Sequence, residues 1–143
     1  MKIAVGNDHG GYEIKLVVLE WLEEHGYKYR NFGCDSAESV DYPDYIHPVA
    51  EAVENGEYDY GVVVCGSGQG ASFTANKHQG IRAALCWIPE IAELARQHNN
   101  ANILAMPGRF INREEAIAIM ETFFSTSFEG GRHQTRIDKA PLK

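Results

Sequence analysis

A cysteine followed at once by a glycine-rich loop is the first group of residues in this chain that could do chemistry. The segment Val62–Ser72 reads VVVCGSGQGAS, so Cys65 ends an apolar run and glycine then recurs at every second position from Gly66 to Gly70. Small residues let several backbone N–H groups converge on an anion where a helix begins. The same position can lower the pKa of an adjacent thiol toward neutrality. The pattern suggests a reactive thiol beside an anion-binding loop, with a buried core cysteine as the alternative.

Nucleotide binding is the competing interpretation of this loop. Residues 66–71 match G-x-G-x-x-A, a loose form of the dinucleotide-binding fingerprint, and they follow a predicted strand as that motif requires. However, that strand is the third of the chain, and Cys86-Trp87 stands where a ribose-binding acid is expected. No Gly-Lys-Ser/Thr closes the loop, so a Walker motif is absent as well. What remains is an anion-binding role for the loop.

Histidine and arginine side chains supply the other groups with chemical potential. Asp8-His9 follows the first predicted strand, and Arg109 follows the fifth. Arg132 and Arg136 are spaced i and i+4, which places them on one face if their segment is helical. Arginine binds phosphate with bidentate geometry, although each of these residues alone is also typical of a solvated surface. His98 ends a predicted helix, where a histidine is commonly a favourable cap against the helix dipole.

Alternating strands and helices must position these groups. The predicted strands are Lys2–Gly6, Tyr27–Phe32, Asp59–Cys65, Ile81–Cys86 and Ala101–Ala105. The predicted helices are Tyr12–Glu24, a segment from Asp41 to Gly56, Ser72–Lys77, Pro89–His98 and Arg113–Phe124. Short connections between them predict a parallel sheet with helices on both faces. The last segment, residues 129–143, has no clear apolar period, and we expect it to lie over the surface or a partner.

The sheet itself predicts where these residues meet. We expect one α/β domain over residues 1–143, since the chain shows no repeat, low-complexity tract or internal linker. In such a sheet, ligands bind beyond the carboxyl ends of the strands, where the strand order reverses. If the order begins 2-1-3, the first and third strands are neighbours, and a carboxylate, an imidazole and a thiol come together from Asp8, His9 and Cys65.

Composition limits the class of protein. The chain has 143 residues, a mass of 15.9 kDa, 44% hydrophobic residues and 23% charged residues, as is typical of a globular domain. A formal net charge of −7 argues against general nucleic-acid binding, although a few arginines can still hold a small anion. We expect no membrane span and no signal peptide. Three cysteines (Cys34, Cys65 and Cys86) are too scattered for a disulfide framework or a zinc site, so we expect a cytoplasmic protein.

Five separated motifs identify the chain as a member of a known family. The segments NDHGG, DYPDY, CGSGQGASFTANK with GIRAALC, RQHNNANILA and EGGRHQTR occur in the order found in type B ribose-5-phosphate isomerases. The wider group includes allose-6-phosphate and galactose-6-phosphate isomerases, and the resemblance covers nearly the whole chain. It implies a Rossmann-like αβα sandwich with no metal and no organic cofactor. It also implies a homodimer whose sites lie between subunits, with a tetramer left open.

The resemblance implies catalytic roles for several motif residues. Cys65 resembles the base that moves a proton between C1 and C2 of the sugar. Residues 66–70 resemble the loop whose backbone N–H groups stabilise the enediolate oxygen. These residues are Gly66, Ser67, Gly68, Gln69 and Gly70, with serine where many members have threonine. His98 resembles the acid/base that opens the furanose ring, assisted by Asp8.

Further residues resemble substrate contacts of the family. Asn99 resembles a substrate contact. In the family, this residue and the one that His98 resembles reach the site from the other subunit. Tyr42 resembles a residue that lines the pocket. The residues that resemble phosphate ligands are His9, Arg109, Arg132 and Arg136. One departure is Phe73, which is bulkier than the aliphatic residue common in the family, and the tail ending at Lys143 is shorter than in many members.

Aldose–ketose isomerisation explains why a thiol and a glycine loop stand together. The reaction needs a base beside the acidic carbon and oriented donors where negative charge develops on oxygen. We therefore expect an isomerase that interconverts D-ribose 5-phosphate and D-ribulose 5-phosphate, as in the pentose phosphate pathway. One alternative keeps this mechanism and changes the substrate to allose 6-phosphate or galactose 6-phosphate. The other is a non-catalytic phosphosugar-binding module.

Overall fold

A five-stranded parallel sheet between two layers of helices forms the protein, in a computed structural model that describes residues 1–142. The strands are β1 (Lys2–Asn7), β2 (Lys28–Asn31), β3 (Tyr60–Cys65), β4 (Ala83–Leu85) and β5 (Ile103–Pro107). The helices are α1 (Tyr12–Glu24), α2 (Tyr42–Glu54), α3 (Gln69–Ala75), α4 (Pro89–Asn99), α5 (Arg113–Ser125) and α6 (Arg132–Lys139). A 3-10 turn covers His9–Gly11. The predicted α/β sandwich is confirmed.

The strand order is β2-β1-β3-β5-β4, and every neighbouring pair is parallel. The expected start, 2-1-3, is therefore confirmed. Residues Ile3 to Asn7 of β1 pair with Tyr60 to Val64 of β3. The chain leaves these two central strands in opposite directions, so their carboxyl ends border the crevice where ligands bind in such sheets.

Strand β3 is covered on both faces, as its unbroken valines predicted. Val62 and Val64 belong to a core that α1, α4 and α5 share, whereas Val63 and Cys65 belong to a second core built with α2 and α3. The last five residues of β3 are all buried. Burial on both faces holds the end of this strand, and with it the thiol, in one place.

The C-terminal segment, in which the sequence shows no clear apolar period, contains a helix. This helix, α6, follows a turn made by Gly130 and Gly131 with φ values of 74° and 61°. No residue of α6 is buried, and its sequence RHQTRIDK contains one apolar residue, Ile137, so it lacks the apolar spacing from which a helix is predicted. Arg132 and Arg136 do lie on one helix, as their spacing allowed.

Two smaller points concern individual helices. Phe73 is 61% exposed on α3, so its larger side chain lies outside the two cores. Among the helices of residues 1–142, none combines the length and the apolar character needed to cross a lipid bilayer.

Candidate active site

The thiol of Cys65 lies at the carboxyl end of β3, under the first turn of α3. The side chain is 5% exposed, and its Sγ accepts a hydrogen bond of 3.4 Å from the backbone N–H of Ala71. The backbone N–H groups of Gly68 and Gly70 also favour the thiolate form and so lower the pKa of Cys65. Gly68 has a left-handed φ of 77°, which turns the chain into α3 three residues before the predicted start at Ser72. This early turn brings the N–H groups to the thiol.

The charge state of Cys65 differs from the expectation. Burial raises the pKa of its thiol above the usual value, and the nearby Asp8 carboxylate raises this pKa further. The N–H groups of Ala71, Gly68 and Gly70 lower it, but they do not offset the burial. The prediction that the loop brings the thiol pKa toward neutrality is therefore wrong for the isolated chain.

Arg109 lies across the backbone that carries the thiol. The amide of Gly108 donates to the Cys65 carbonyl at 2.8 Å, and the amide of Arg109 donates to the Gly66 carbonyl at 3.0 Å. A Cβ placed on Gly66 would stand 3.3 Å from Nη1 of Arg109, and one on Gly10 would stand 3.4 Å from its Cζ. The guanidinium therefore covers both glycines, and a side chain at either position would crowd it.

Asp8 and His9 enter the same edge from β1. Oδ1 of Asp8 accepts the Gly11 amide at 3.2 Å, and the Asp8 amide donates to the Val64 carbonyl at 3.3 Å. The Val40 amide donates to Nδ1 of His9 at 3.1 Å, so a neutral His9 carries its proton on Nε2. A cleft of about 430 Å³ is lined by both side chains. His9 thus offers a donor to an anion without needing a positive charge.

Tyr42 and Ser67 border the glycine loop. The ring of Tyr42 lies against Gly70, since a Cβ on this glycine would stand 2.7 Å from the ring. The hydroxyl of Ser67 accepts the Gln69 amide at 3.3 Å, in the first turn of α3. A further cleft of about 460 Å³ at this edge is lined by Ser67, Gln69, Leu85, Trp87, Ile88, Pro107, Phe110 and Glu115.

The remaining predicted residues lie at the opposite edge of the sheet. His98 and Asn99 end α4, and the chain then enters β5 through Asn102, whose carbonyl accepts the amide of Gly61 at 3.0 Å. From Gly61 to Cys65 the strand advances four residues, on the order of 13 Å. Asn99 lines a cleft of about 370 Å³ together with Arg136 of α6. One chain therefore holds two separate groups of predicted site residues and does not bring them together.

Comparison with known proteins decides which family has this arrangement. Residues 3–140 match the family model described as Ribose/Galactose Isomerase. The chain is 44% identical to ribose-5-phosphate isomerase B of Escherichia coli over 96% of this chain and 92% of that protein. The solved ribose-5-phosphate isomerase B of Clostridium thermocellum superposes with a TM-score of 0.96 at 48% identity, over 97% and 94% of the two chains. The enzyme of Mycoplasma genitalium, solved with bound ribulose-5-phosphate, gives a TM-score of 0.92 at 40% identity, over 96% and 92%.

The chain belongs to the ribose/galactose isomerase family. It is an aldose–ketose isomerase of sugar phosphates, as its named relatives are. Membership is consistent with both the sheet order and the motif order, since the match extends over both groups of residues described above.

Two residues beside His98 in this isomerase were not singled out by sequence reasoning. Oε1 of Glu129 lies 3.7 Å from Nε2 of His98 and 3.5 Å from Nε2 of His133. The two imidazole rings are stacked, with centroids 4.4 Å apart and planes inclined by 11°. Glu129 and His133 are four residues apart in EGGRH, but the two glycines between them conceal the helical spacing that could have drawn attention to the pair.

Proposed function

We propose that the protein interconverts D-ribose 5-phosphate and D-ribulose 5-phosphate at sites built from two copies of the chain. The observation that carries this proposal is the separation of the predicted residues into two groups at opposite edges of the sheet. Cys65, Asp8, His9 and Arg109 stand at the carboxyl edge, whereas His98, Asn99, Arg132 and Arg136 stand at the amino edge. Neither group alone contains both the proton-transfer base and the ring-opening group.

A two-fold dimer supplies a simple way to complete the site. In such a dimer the same surface of each chain contacts its partner, so the carboxyl edge of one chain can face the amino edge of the other twice. Trp87 and Phe110 are 50% and 75% exposed beside the glycine loop, and aromatic residues of this kind are enriched where subunits meet. Each dimer would then hold two complete sites.

Both chains would contribute phosphate ligands to the composite site. His9 and Arg109 of one chain and Arg132 and Arg136 of the other supply an imidazole N–H and three guanidinium groups. Guanidinium groups bind phosphate oxygens in bidentate pairs, so the phosphate end of the sugar is the part that both chains would hold. This local positive charge accounts for an anionic substrate on a chain whose net charge is −7.

Ring opening comes first in the proposed mechanism. His98 donates a proton to the ring oxygen O4 while Asp8 accepts the proton of the anomeric hydroxyl, which breaks the C1–O4 bond and forms the aldehyde. Protonation removes the charge of Asp8, which is one of the causes that raise the Cys65 thiol pKa. Ring opening therefore favours the thiolate that the next step needs.

Proton transfer follows at the thiol. After the Cys65 thiol has released its proton to water, the thiolate removes the proton from C2, and the electron pair of the broken C–H bond forms the C1–C2 double bond of an enediolate. Backbone N–H groups of the loop after Cys65 stabilise the negative oxygen, because they are oriented before the charge develops. Cys65 then returns the proton to C1, and the hydroxyl proton of O2 passes to the negative O1, which gives the C2 carbonyl and the C1 hydroxyl of the ketose.

Turnover of three sugar phosphates tests the proposal directly. Ribose 5-phosphate, allose 6-phosphate and galactose 6-phosphate are each assayed with the wild type and with Cys65→Ala. We expect ribose 5-phosphate to react best and the variant to bind it without turnover. A preference for a hexose phosphate would be compatible with the proposed mechanism but would contradict ribose 5-phosphate as the substrate. Binding without turnover by the wild type would indicate a binding module, and residual activity in the variant would overturn the thiol as base.

A further inference from the structure

Three side chains with metal-binding atoms converge where α4 ends and α6 begins. Nε2 of His98 and Nε2 of His133 lie 3.7 Å and 3.5 Å from the same carboxylate oxygen of Glu129. The three ligand atoms all lie within 4.8 Å of one another. Separations of this size are longer than a hydrogen bond, so direct hydrogen bonding does not explain why the groups meet.

The two distances to Glu129 are close to those between ligands of one metal ion. Zinc binds imidazole nitrogen at about 2.0–2.1 Å and carboxylate oxygen at about 2.0–2.2 Å, in tetrahedral geometry. Two ligands of such an ion therefore stand about 3.3–3.5 Å apart. The distances from Glu129 to the two histidines are within a few tenths of an ångström of this value. We propose that His98, Glu129 and His133 form a binding site for a divalent cation of the Zn²⁺ type.

Backbone hydrogen bonds hold the three ligands in place. The Glu129 amide donates to the carbonyl of Gln97 at 3.0 Å, which fixes this residue against the last turn of α4 beside His98. The His133 amide donates to the Gly130 carbonyl at 3.3 Å. Gly130 and its neighbour adopt positive φ values, so the chain reverses and turns Glu129 toward the first turn of α6. The fold therefore holds the three residues close together before any ion binds.

The chemistry of the three ligating side chains determines which type of cation the site favours. Two imidazoles and one carboxylate form the ligand set of known zinc sites that keep a fourth position open, whereas Mg²⁺ and Ca²⁺ prefer all-oxygen sites. The parallel rings must turn so that both Nε2 lone pairs converge on the ion. The χ2 torsion of histidine is broad, and the His98 side chain is 42% exposed, so this adjustment is available.

An ion at this site would inhibit the isomerase, a consequence that rests on the proposed function. The cation takes the Nε2 lone pair of His98, and a metal-bound nitrogen can neither donate nor accept the proton that ring opening requires. The proposed ion is therefore an inhibitor and not a cofactor. The reaction proceeds when His98 is free and stops when the ion is bound.

Calorimetric titration of the full chain with Zn²⁺ tests the site without measuring activity. We expect one ion per chain and at least a tenfold loss of affinity in Glu129→Gln and in His133→Asn, as the loss of a metal ligand requires. His47→Asn is the matched control, because it removes a histidine from another pair, in which Nδ1 of His47 lies 2.7 Å from Nε2 of His78. Cys65→Ser is the second control, and both controls should bind as the wild type does.

Several results would overturn the site. These are no binding by the wild type, unchanged binding in both ligand variants, or a loss of binding in Cys65→Ser, which would assign the ion to the thiol. Thermal unfolding of each variant shows that its fold is intact. Turnover with added Zn²⁺, followed by a chelator, tests inhibition: activity should fall and return. Binding without inhibition would overturn the inhibitory role, whereas a wild type inactive on every sugar phosphate would overturn the proposed function and leave the calorimetry valid.

Discussion

The backbone amide of Ala71 donates a hydrogen bond to the Sγ of Cys65 at 3.4 Å, across the first turn of α3. The amide that best stabilises a thiolate thus belongs to the helix which buries the thiol. Burial is the larger effect, because the thiol pKa is raised despite this bond. The free protein therefore stores the base in its protonated form.

Alkylation of Cys65 at different pH values checks this charge state. Because its pKa is raised, we expect the rate with iodoacetamide to rise with pH through a midpoint above that of an ordinary thiol. Cys65→Ser gives the background from Cys34 and Cys86, which are also buried. Burial raises the pKa of Cys86 to about 12, so the contribution of Cys86 to this background should be small. A midpoint near neutrality would contradict the buried, protonated thiol.

Mixed dimers test whether each site uses two chains. Cys65→Ala and His98→Ala should each be inactive alone, since each dimer then lacks one group in both sites. If equal amounts are mixed and allowed to exchange subunits, half of the dimers are mixed and each has one intact site, so about a quarter of the wild-type activity should return. Activity is measured before and after exchange.

The control for this experiment is a mixture in which both variants affect the same edge, Cys65→Ala with Asp8→Ala. Exchange cannot restore a site here, because the two residues would belong to the same half of the composite site. Recovery in this control, or no recovery in the Cys65 and His98 mixture despite proven exchange, would contradict a shared site.

Alanine variants of two glycines with similar backbone angles distinguish the loss of stability caused by a positive φ from an effect on the active site. Gly26 and Gly68 have φ values of 73° and 77°, but a Cβ meets nothing within 4 Å at Gly26, whereas at Gly68 it would stand 2.3 Å from Cδ1 of Leu85. Gly26→Ala should lower the free energy of unfolding by about 1–2 kcal/mol and leave turnover unchanged. Gly68→Ala should lower both, because the loop must move away from Cys65. Equal turnover in the two variants would contradict a role for the loop geometry.

The parts of the fold that could be predicted are those in which local pattern and tertiary packing agree. The valines of β3 alternate between two cores, so an unbroken apolar run was sufficient to identify a buried strand. Helix α6 could not be predicted in this way, because no residue of it is buried. The thiol pKa also escaped prediction, since it depends on how deeply Cys65 is covered, and a motif specifies only the N–H groups that act against that burial.

The split of the site has a similar explanation. Sequence order places His98 at the end of a helix, and a helix that follows a parallel strand returns its end to the amino edge of the sheet. The motif resemblance implied that His98 belongs to a partner's site, and α4 ends at the edge of the sheet opposite to Cys65. Arg132 and Arg136 belong to the same group because α6 packs beside α4.

A remote arginine should act through binding more than through catalysis. Arg136→Ala removes a proposed phosphate ligand, so we expect a raised KM with a smaller change in kcat. Arg113→Ala is the matched control, because Arg113 pairs with Glu20 at 2.9 Å on an exposed surface and belongs to neither group of proposed site residues. Steady-state kinetics should show an unchanged KM in this control. A fall in kcat alone for Arg136→Ala would contradict the phosphate role.

Lys15 anchors the loop whose other end holds His9. The side chain is completely buried, and its Nζ donates to the Cys34 carbonyl and to Oδ1 of Asp35, both at 2.9 Å. The hydrogen bond from Lys15 is the main reason that the pKa of Asp35 lies below its usual value. A lowered carboxyl pKa stabilises the fold above the pKa of the unfolded chain, and this stabilisation is lost as the pH falls through the folded-state value.

Lys15→Met keeps much of the side-chain volume and removes the hydrogen bonds of Nζ to Cys34 and Asp35, together with a longer one of 3.4 Å to Oδ1 of Asn31, so it tests this anchor. We expect the Asp35 pKa, measured from its carboxyl ¹³C shift, to return upward toward its usual value. The variant should be less stable than the wild type at neutral pH, and the part of that difference due to Asp35 should disappear in acid, where the carboxylate is protonated in both proteins. Since the same loop holds Val40 against His9, KM for sugar phosphate should also rise. An unchanged Asp35 pKa in the variant would contradict the pairing.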